Sequence, residues 1–225
     1  MFLKVYLADI APLWDDAVFD EYYREAFPER RRKVDGYKQK APKCRSLGAG
    51  ILLKKALADA GVAEADPEFE TLKGGKPVLK NGDSKVFFNL SHSGDRAMCV
   101  ISDCPVGCDV ETVKENKRVA DRFFTKAEAK IAGESADSFT RLWTLKESFI
   151  KTTGEGLGRG LNSFSLDFDA DGLVTGVKGD GIAEGTYYFY EWDFEDGYRY
   201  ASCAEGLKKD LTPEVEWIEI GSVQG

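Results

Sequence analysis

The chain has 225 residues, of which 43% are hydrophobic and 31% charged, with a formal net charge of −8. That length suits one large domain or two small ones. The acidity disfavours general nucleic-acid binding, and no apolar run is long enough to span a membrane. Five cysteines, an odd number, argue against a disulfide framework and fit a reducing cytoplasm.

The N-terminal "MFLKVYLADIAPLW" lacks a basic lead and is interrupted by Asp9, so it reads as a first strand over residues 2–8 rather than a signal peptide. An amphipathic helix is expected over 15–26. Residues 28–45, "PERRRKVDGYKQKAPKCR", carry eight Lys or Arg against one Glu and one Asp. On an acidic protein such a patch suggests either a local anionic ligand or a solvated helix face. "SLGAGILLKKALADAG" (46–61) has helical periodicity and a fitting cap at Gly61. "KVFFNLS", "AMCVIS" and "VGCDVETV" read as three successive strands. "TKAE" (125–128) matches a capping box, and "SFTRLWTLKESFIKTTG" a long helix. From Ser163 onward the pattern is strand-like, with hairpin turns at Asp171-Gly172 and Asp196-Gly197. The class is α+β, mostly antiparallel strands with packed helices.

Three features bear on chemistry. In "GCDVETV", side chains two apart share a face of a strand. Asp109 and Glu111 then stand side by side, with Cys108 and Val110 turned into a core. Two carboxylates so placed repel each other unless a cation lies between them, although a wet edge strand also explains them. In "LWTLKESFIK", Glu147 and Lys151 lie one turn apart on a largely buried helix. A buried glutamate needs a partner, either Lys151 or a metal ion shared with Asp109 and Glu111. His92, the only histidine, lies between Ser91 and Ser93. Adjacent strand residues face opposite sides and no G-x-S-x-G elbow is present, so a serine hydrolase is rejected. "TGEGLGRG" follows a helix and lacks the G-K-[ST] ending, which makes it a helix stop and not a phosphate loop.

In their order, "FNLSHSGD", "GCDVE" and "LWTLKESFIK" resemble the 4′-phosphopantetheinyl transferases of the Sfp type, with "PERRRK…KCRSLGAGIL" and "GGKPVL" extending the resemblance over about residues 28–165. The resemblance implies the larger, monomeric branch, built of two similar α/β subdomains, 1–105 and 106–225. It implies transfer of 4′-phosphopantetheine from coenzyme A to a serine of an apo carrier protein, releasing adenosine 3′,5′-bisphosphate. Asp109, Glu111 and Glu147 would then hold Mg²⁺, with Glu147 or Glu111 as general base. Lys151 would bind phosphate and stabilise the leaving group, with Lys146 contributed by the same helix. Ser91 and His92 match phosphate contacts, and Arg30, Lys33, Arg45 and Lys76 the positions holding the 3′-phosphate and nucleotide. The alternatives are a Mg²⁺-dependent coenzyme A or nucleotide pyrophosphatase, or a non-catalytic coenzyme A or carrier-binding module. Neither nucleic acid nor membrane is an expected partner. The resemblance also sets the carrier groove near residues 114–130, where Phe123 and Phe124 are expected to dock the carrier inside a rim of Lys117, Arg118 and Arg122, or else to be core.

Overall fold

The computed structural model describes residues 1–62, 67–72, 74–80, 86–207 and 211–221. The first strand, β1 (Leu3–Asp9), leads into α1 (Asp16–Glu25), α2 (Pro28–Asp35) and the 20-residue α3 (Lys40–Asp59). Asp15 caps α1 by accepting from the N–H groups of Ala17 and Val18. A short hairpin follows, β2 (Phe69–Thr71) and β3 (Pro77–Leu79), then β4 (Phe87–Ser93) and β5 (Arg96–Ser102). After Pro105 come β6 (Val106–Thr112), α4 (Lys117–Phe123), α5 (Lys126–Ala132) and α6 (Ala136–Thr153). The hairpin β7 (Phe164–Phe168) and β8 (Val174–Gly179), the pair β9 (Tyr187–Trp192) and β10 (Tyr198–Glu205), and β11 (Glu214–Trp217) complete the chain.

Two main sheets carry the architecture. One has the order β11-β1-β5-β4 and the other β6-β10-β9. Among the described residues every pairing is antiparallel except β1 with β11. The α+β class with mostly antiparallel strands is therefore as expected. Alternation along the strands fills three cores, which stack the molecule as helix, sheet, sheet, helix. Tyr6 and Ala8 of β1 and Cys99 and Ile101 of β5 pack with α3. Leu3, Val5 and Leu7 from the opposite face of β1 meet Cys108 and Val110 of β6 and Tyr200 of β10 between the sheets. Ala201 and Cys203 of β10 face Leu145 and Phe149 of α6.

Several boundaries differ from the sequence reading. The basic stretch contributes a separate helix, α2, and α3 begins at Lys40, six residues before the periodicity suggested. Its first turns are half-buried, with Cys44 and Ser46 buried, but Lys40, Lys43 and Arg45 alternate with the small residues there and leave no apolar stripe to read. β11, from the C-terminal end, pairs with β1, so the first sheet takes a strand from beyond residue 105. Lys85, included in the expected strand at 85–91, lies outside the described residues. The capping box forms at Thr125 and Glu128. Gly154 stops α6 with φ +71, a left-handed cap that glycine adopts without strain. All five cysteines are free, four of them buried. Among the described residues no helix is long and apolar enough to cross a membrane.

Candidate active site

The two sheets meet edge to edge, β4 against β6, without a backbone ladder. Three polar side chains on one face of β4 take its place. Asn89 Oδ1 accepts from Cys108 N–H at 2.9 Å, Ser91 Oγ from Val110 N–H at 3.3 Å and Ser93 Oγ from Thr112 N–H at 3.3 Å. Edge amides need acceptors, and the alternation N-x-S-x-S supplies one at every second residue. The opposite face of β4 turns Leu90 toward the α3 core.

Helix α6 lies across β6, and Gly107 permits it. A Cβ there would lie 2.3 Å from Ser148 O and 2.4 Å from Thr152 N. This close approach brings Glu147 and Lys151 to the strand carboxylates. Asp109, Glu111, Glu147 and Lys151 line one concavity of about 410 Å³ together with Ser91, His92 and Trp143. It adjoins a cleft of about 310 Å³ lined by Arg30 and Lys33 of α2, Lys76 and Pro77, His92, and the loop of Gly154 and Gly156.

The carboxylate end is electrostatically loaded. Lys151 Nζ donates to Asp109 Oδ1 at 2.7 Å, Cys108 O at 3.0 Å and Ser91 Oγ at 3.2 Å. Ser91 Oγ also donates to Asp109 Oδ1 at 2.8 Å. Burial pushes the Asp109 carboxyl up. Burial also works against the Lys151 ammonium, but its neighbours, Asp109 foremost and Glu147 with it, together hold that group above its ordinary value. The three donated bonds stabilise the ionised pair. Glu147 is pushed up to about 7, first by burial and then by Asp109 and Glu111. Both Glu147 Oε1 and Asp109 Oδ2 are buried without a hydrogen-bond partner. Glu111 Oε2 accepts from Ser93 Oγ at 2.8 Å and Lys114 Nζ at 2.9 Å. No three His, Cys, Asp or Glu side chains among the described residues stand close enough to form a finished metal site. The donors nevertheless suit a hard divalent cation: all are carboxylate oxygens, and two of them are buried and unsatisfied.

The other end is cationic. Arg30 is buried, with its guanidinium donating to Ser46 O. Lys76 Nζ reaches Val106 O at 2.7 Å and Lys151 O at 2.8 Å, and burial lowers it to about 8. Among the described residues, Arg30, Lys33, Arg45 and Lys76 form no ion pair with a carboxylate. Burial lowers His92, and the charges of Arg45, Lys151 and Lys33 lower it further. Lowered in this way among cations, His92 is held in its neutral form.

Of the residues singled out from sequence, Arg30, Lys33, Lys76, His92, Glu147 and Lys151 line the cleft, and Ser91, Asp109 and Glu111 the adjoining concavity. Arg45 is half-buried on α3 beside His92 and outside both linings. Lys146 is elsewhere. It is fully buried, donates to both oxygens of Glu128 at 2.7 and 2.8 Å and to Phe164 O at 2.8 Å, and so ties α6 to α5 and β7. One residue along the helix from Glu147, it turns about 100° away. Phe124 is core, stacked on Phe139 and near Trp143, whereas Phe123 is exposed beneath Arg122. The sequence reading took Glu128 only as a capping residue and missed its pairing with Lys146, and it missed Asn89 and Ser93. The i, i+2, i+4 polar alternation in "NLSHS" was a signal for the last two.

The family model described as the 4′-phosphopantetheinyl transferase superfamily matches residues 105–203, a span that holds Asp109, Glu111, Glu147 and Lys151. The chain is 34% identical over 184 residues to 4′-phosphopantetheinyl transferase Sfp of Bacillus subtilis (strain 168), covering 79% of this chain and 81% of that protein. The chain belongs to the 4′-phosphopantetheinyl transferase family. Further relatives are 4′-phosphopantetheinyl transferase ffp of Bacillus subtilis, 33% identical over 84% of this chain and 86% of the relative, and 4′-phosphopantetheinyl transferase psf-1 of Bacillus pumilus, 32% identical over 77% and 78%. For a phosphopantetheinyl transferase, a cleft running from unpaired cations to clustered carboxylates is chemically apt. One end suits phosphates and the other a proton or a cation.

Proposed function

We propose that this transferase moves 4′-phosphopantetheine from coenzyme A to a serine hydroxyl of an apo carrier protein with Mg²⁺, releasing adenosine 3′,5′-bisphosphate. One observation carries the reading. Within one continuous concave surface, cations with no carboxylate partner among the described residues face two buried carboxylate oxygens that likewise have no hydrogen-bond partner there.

Arg30, Lys33 and Lys76 would bind the 3′-phosphate and diphosphate, with Arg45 adding charge from beside the cleft. His92, neutral, would donate one N–H. Asp109, Glu111 and Glu147 would hold Mg²⁺, which when bound neutralises the diphosphate and orients the phosphorus under attack. The serine oxygen forms the new P–O bond while the diphosphate P–O bond breaks. Lys151 donates to the leaving oxygen, and the serine proton passes to Glu147 or Glu111, directly or through water. One chain supplies both walls of the cleft, which supports a monomer. Five free cysteines support a reducing cytoplasm.

The test incubates the protein with coenzyme A, Mg²⁺ and an apo carrier, read by mass. A carrier gaining phosphopantetheine supports transfer. Free phosphopantetheine would mean hydrolysis, and an unchanged carrier only binding. Activity persisting in excess chelator, with Asp109→Ala still active, would overturn the metal assignment.

A further inference from the structure

The two strand carboxylates are held in the same manner. Asp109 has one oxygen bound by a β4 serine and a lysine, Ser91 and Lys151, and its other oxygen bare. Glu111 has Oε2 bound by the next serine of that face and another lysine, Ser93 and Lys114. Among the described residues no hydrogen bond is recorded on its Oε1. Each serine also accepts the N–H of the residue after the carboxylate it holds, Val110 for Ser91 and Thr112 for Ser93. A hydroxyl has one proton and two lone pairs. The carboxylate can only accept, so the hydroxyl proton goes to it at 2.8 Å in both cases, and the Thr112 Oγ1 at 3.5 Å from Ser93 Oγ is the more distant partner. Of the two holders of Glu111, Lys114 is more than half exposed at its side chain, where an ion pair contributes little. Ser93 is half-buried and fixed in a strand.

We infer that Ser93 is a positioning residue: it clamps one oxygen of Glu111 and leaves the other directed at the cation. This rests on Asp109, Glu111 and Glu147 being the Mg²⁺ ligands. Partners of this kind around ligating carboxylates typically change metal affinity ten- to hundredfold when removed.

The experiment uses the full chain and Mn²⁺ alone, with bound and free ion distinguished by electron paramagnetic resonance and no coenzyme A or carrier present. Asp109→Ala serves as the reference for loss of the site. Ser93→Ala should weaken Mn²⁺ binding by roughly tenfold or more. Ser93→Thr and Ser93→Val have nearly the same shape and differ in the hydroxyl. Thr should stay close to wild type and Val should follow Ala, which reads the hydroxyl even if the Ala variant does not fold. A lowered Tm with unchanged Mn²⁺ affinity, or equal affinity in the Thr and Val variants, would reduce Ser93 to a tie between strands and overturn the inference. If wild type and Asp109→Ala bind Mn²⁺ equally, the ligand assignment fails first, and the Ser93 inference falls with it.

Discussion

Gly107→Ala isolates the contact that builds the site. The added methyl would lie 2.3 Å from Ser148 O, 2.4 Å from Thr152 N and 2.7 Å from Lys151 C. All three are backbone atoms of one buried helix, so no side chain can swing aside. Restoring ordinary contact near 3.4 Å requires β6 and α6 to separate by roughly 1 Å. Overpacking of this kind costs about 1–3 kcal/mol, and in a chain of this size Tm falls about 2–4 °C per kcal/mol. The kinetic cost is larger in proportion. Glu147 and Lys151 ride on the displaced segment while Asp109 stays on β6, and a 1 Å misplacement can cost about a hundredfold in rate. Thermal unfolding and mass-resolved carrier loading should therefore both change, Tm modestly and kcat/KM severely. A variant with wild-type Tm and turnover would refute the close approach. A lowered Tm with full turnover would refute the claim that catalysis depends on it.

Lys76 titrates near 8 because burial disfavours its charge. If Lys76 binds phosphate as proposed, the free enzyme loses that cation above this pH, and kcat/KM for coenzyme A should fall as pH rises through about 8. Lys76→Arg should abolish that limb, and an unchanged profile would remove Lys76 from phosphate binding. By linkage, the unfolded chain keeps this proton up to the ordinary lysine value, so between the two values Lys76 makes stability rise with pH. Lys146→Met leaves Glu128 buried without its cation, a change costing about 3–5 kcal/mol, and the double variant Lys146→Met/Glu128→Gln should recover part of it. An unchanged Tm with a raised KM for coenzyme A would instead return Lys146 to the phosphate cleft. Phe124→Ala should cost about 3–5 kcal/mol as a core truncation, while Phe123→Ala should leave stability within about 0.5 kcal/mol of wild type and raise KM for the carrier alone. A carrier KM insensitive to Phe123 would set the docking surface elsewhere.

Much of this was legible in the sequence because period and spacing are local properties. The period of two in "VGCDVETV" put Cys108 and Val110 in the core between the sheets and Asp109 and Glu111 on the other face. The four-residue spacing of Glu147 and Lys151 put both on one face of the helix, and the family resemblance tied that face to the strand carboxylates. What was not legible depends on contacts distant in sequence. Lys146 carries the same charge as Lys151 and sits on the same helix, and only the position of α5 and Glu128 shows that it faces a core. Phe123 and Phe124 are identical neighbours, and the turn after α4 alone decides which is buried. β11 joins the first sheet by a parallel pairing with β1, which no local pattern announces.

The site's location follows from how two sheets are joined when their edge strands do not pair. A backbone ladder would close β4 onto β6 at about 4.8 Å and use every edge amide, leaving no donor between the strands. Interposed side chains keep the edges farther apart and leave hydroxyl protons to spend on the carboxylates of β6. Ser91 acts in both ways, accepting from Val110 and donating to Asp109. The seam thus tolerates acidic side chains that a closed, apolar junction would exclude, because each finds a donor there. It also places α2 and α3, with their cations, on one side and α6, with Glu147 and Lys151, on the other. A charged cleft at this junction is therefore a consequence of joining the two sheets through side chains.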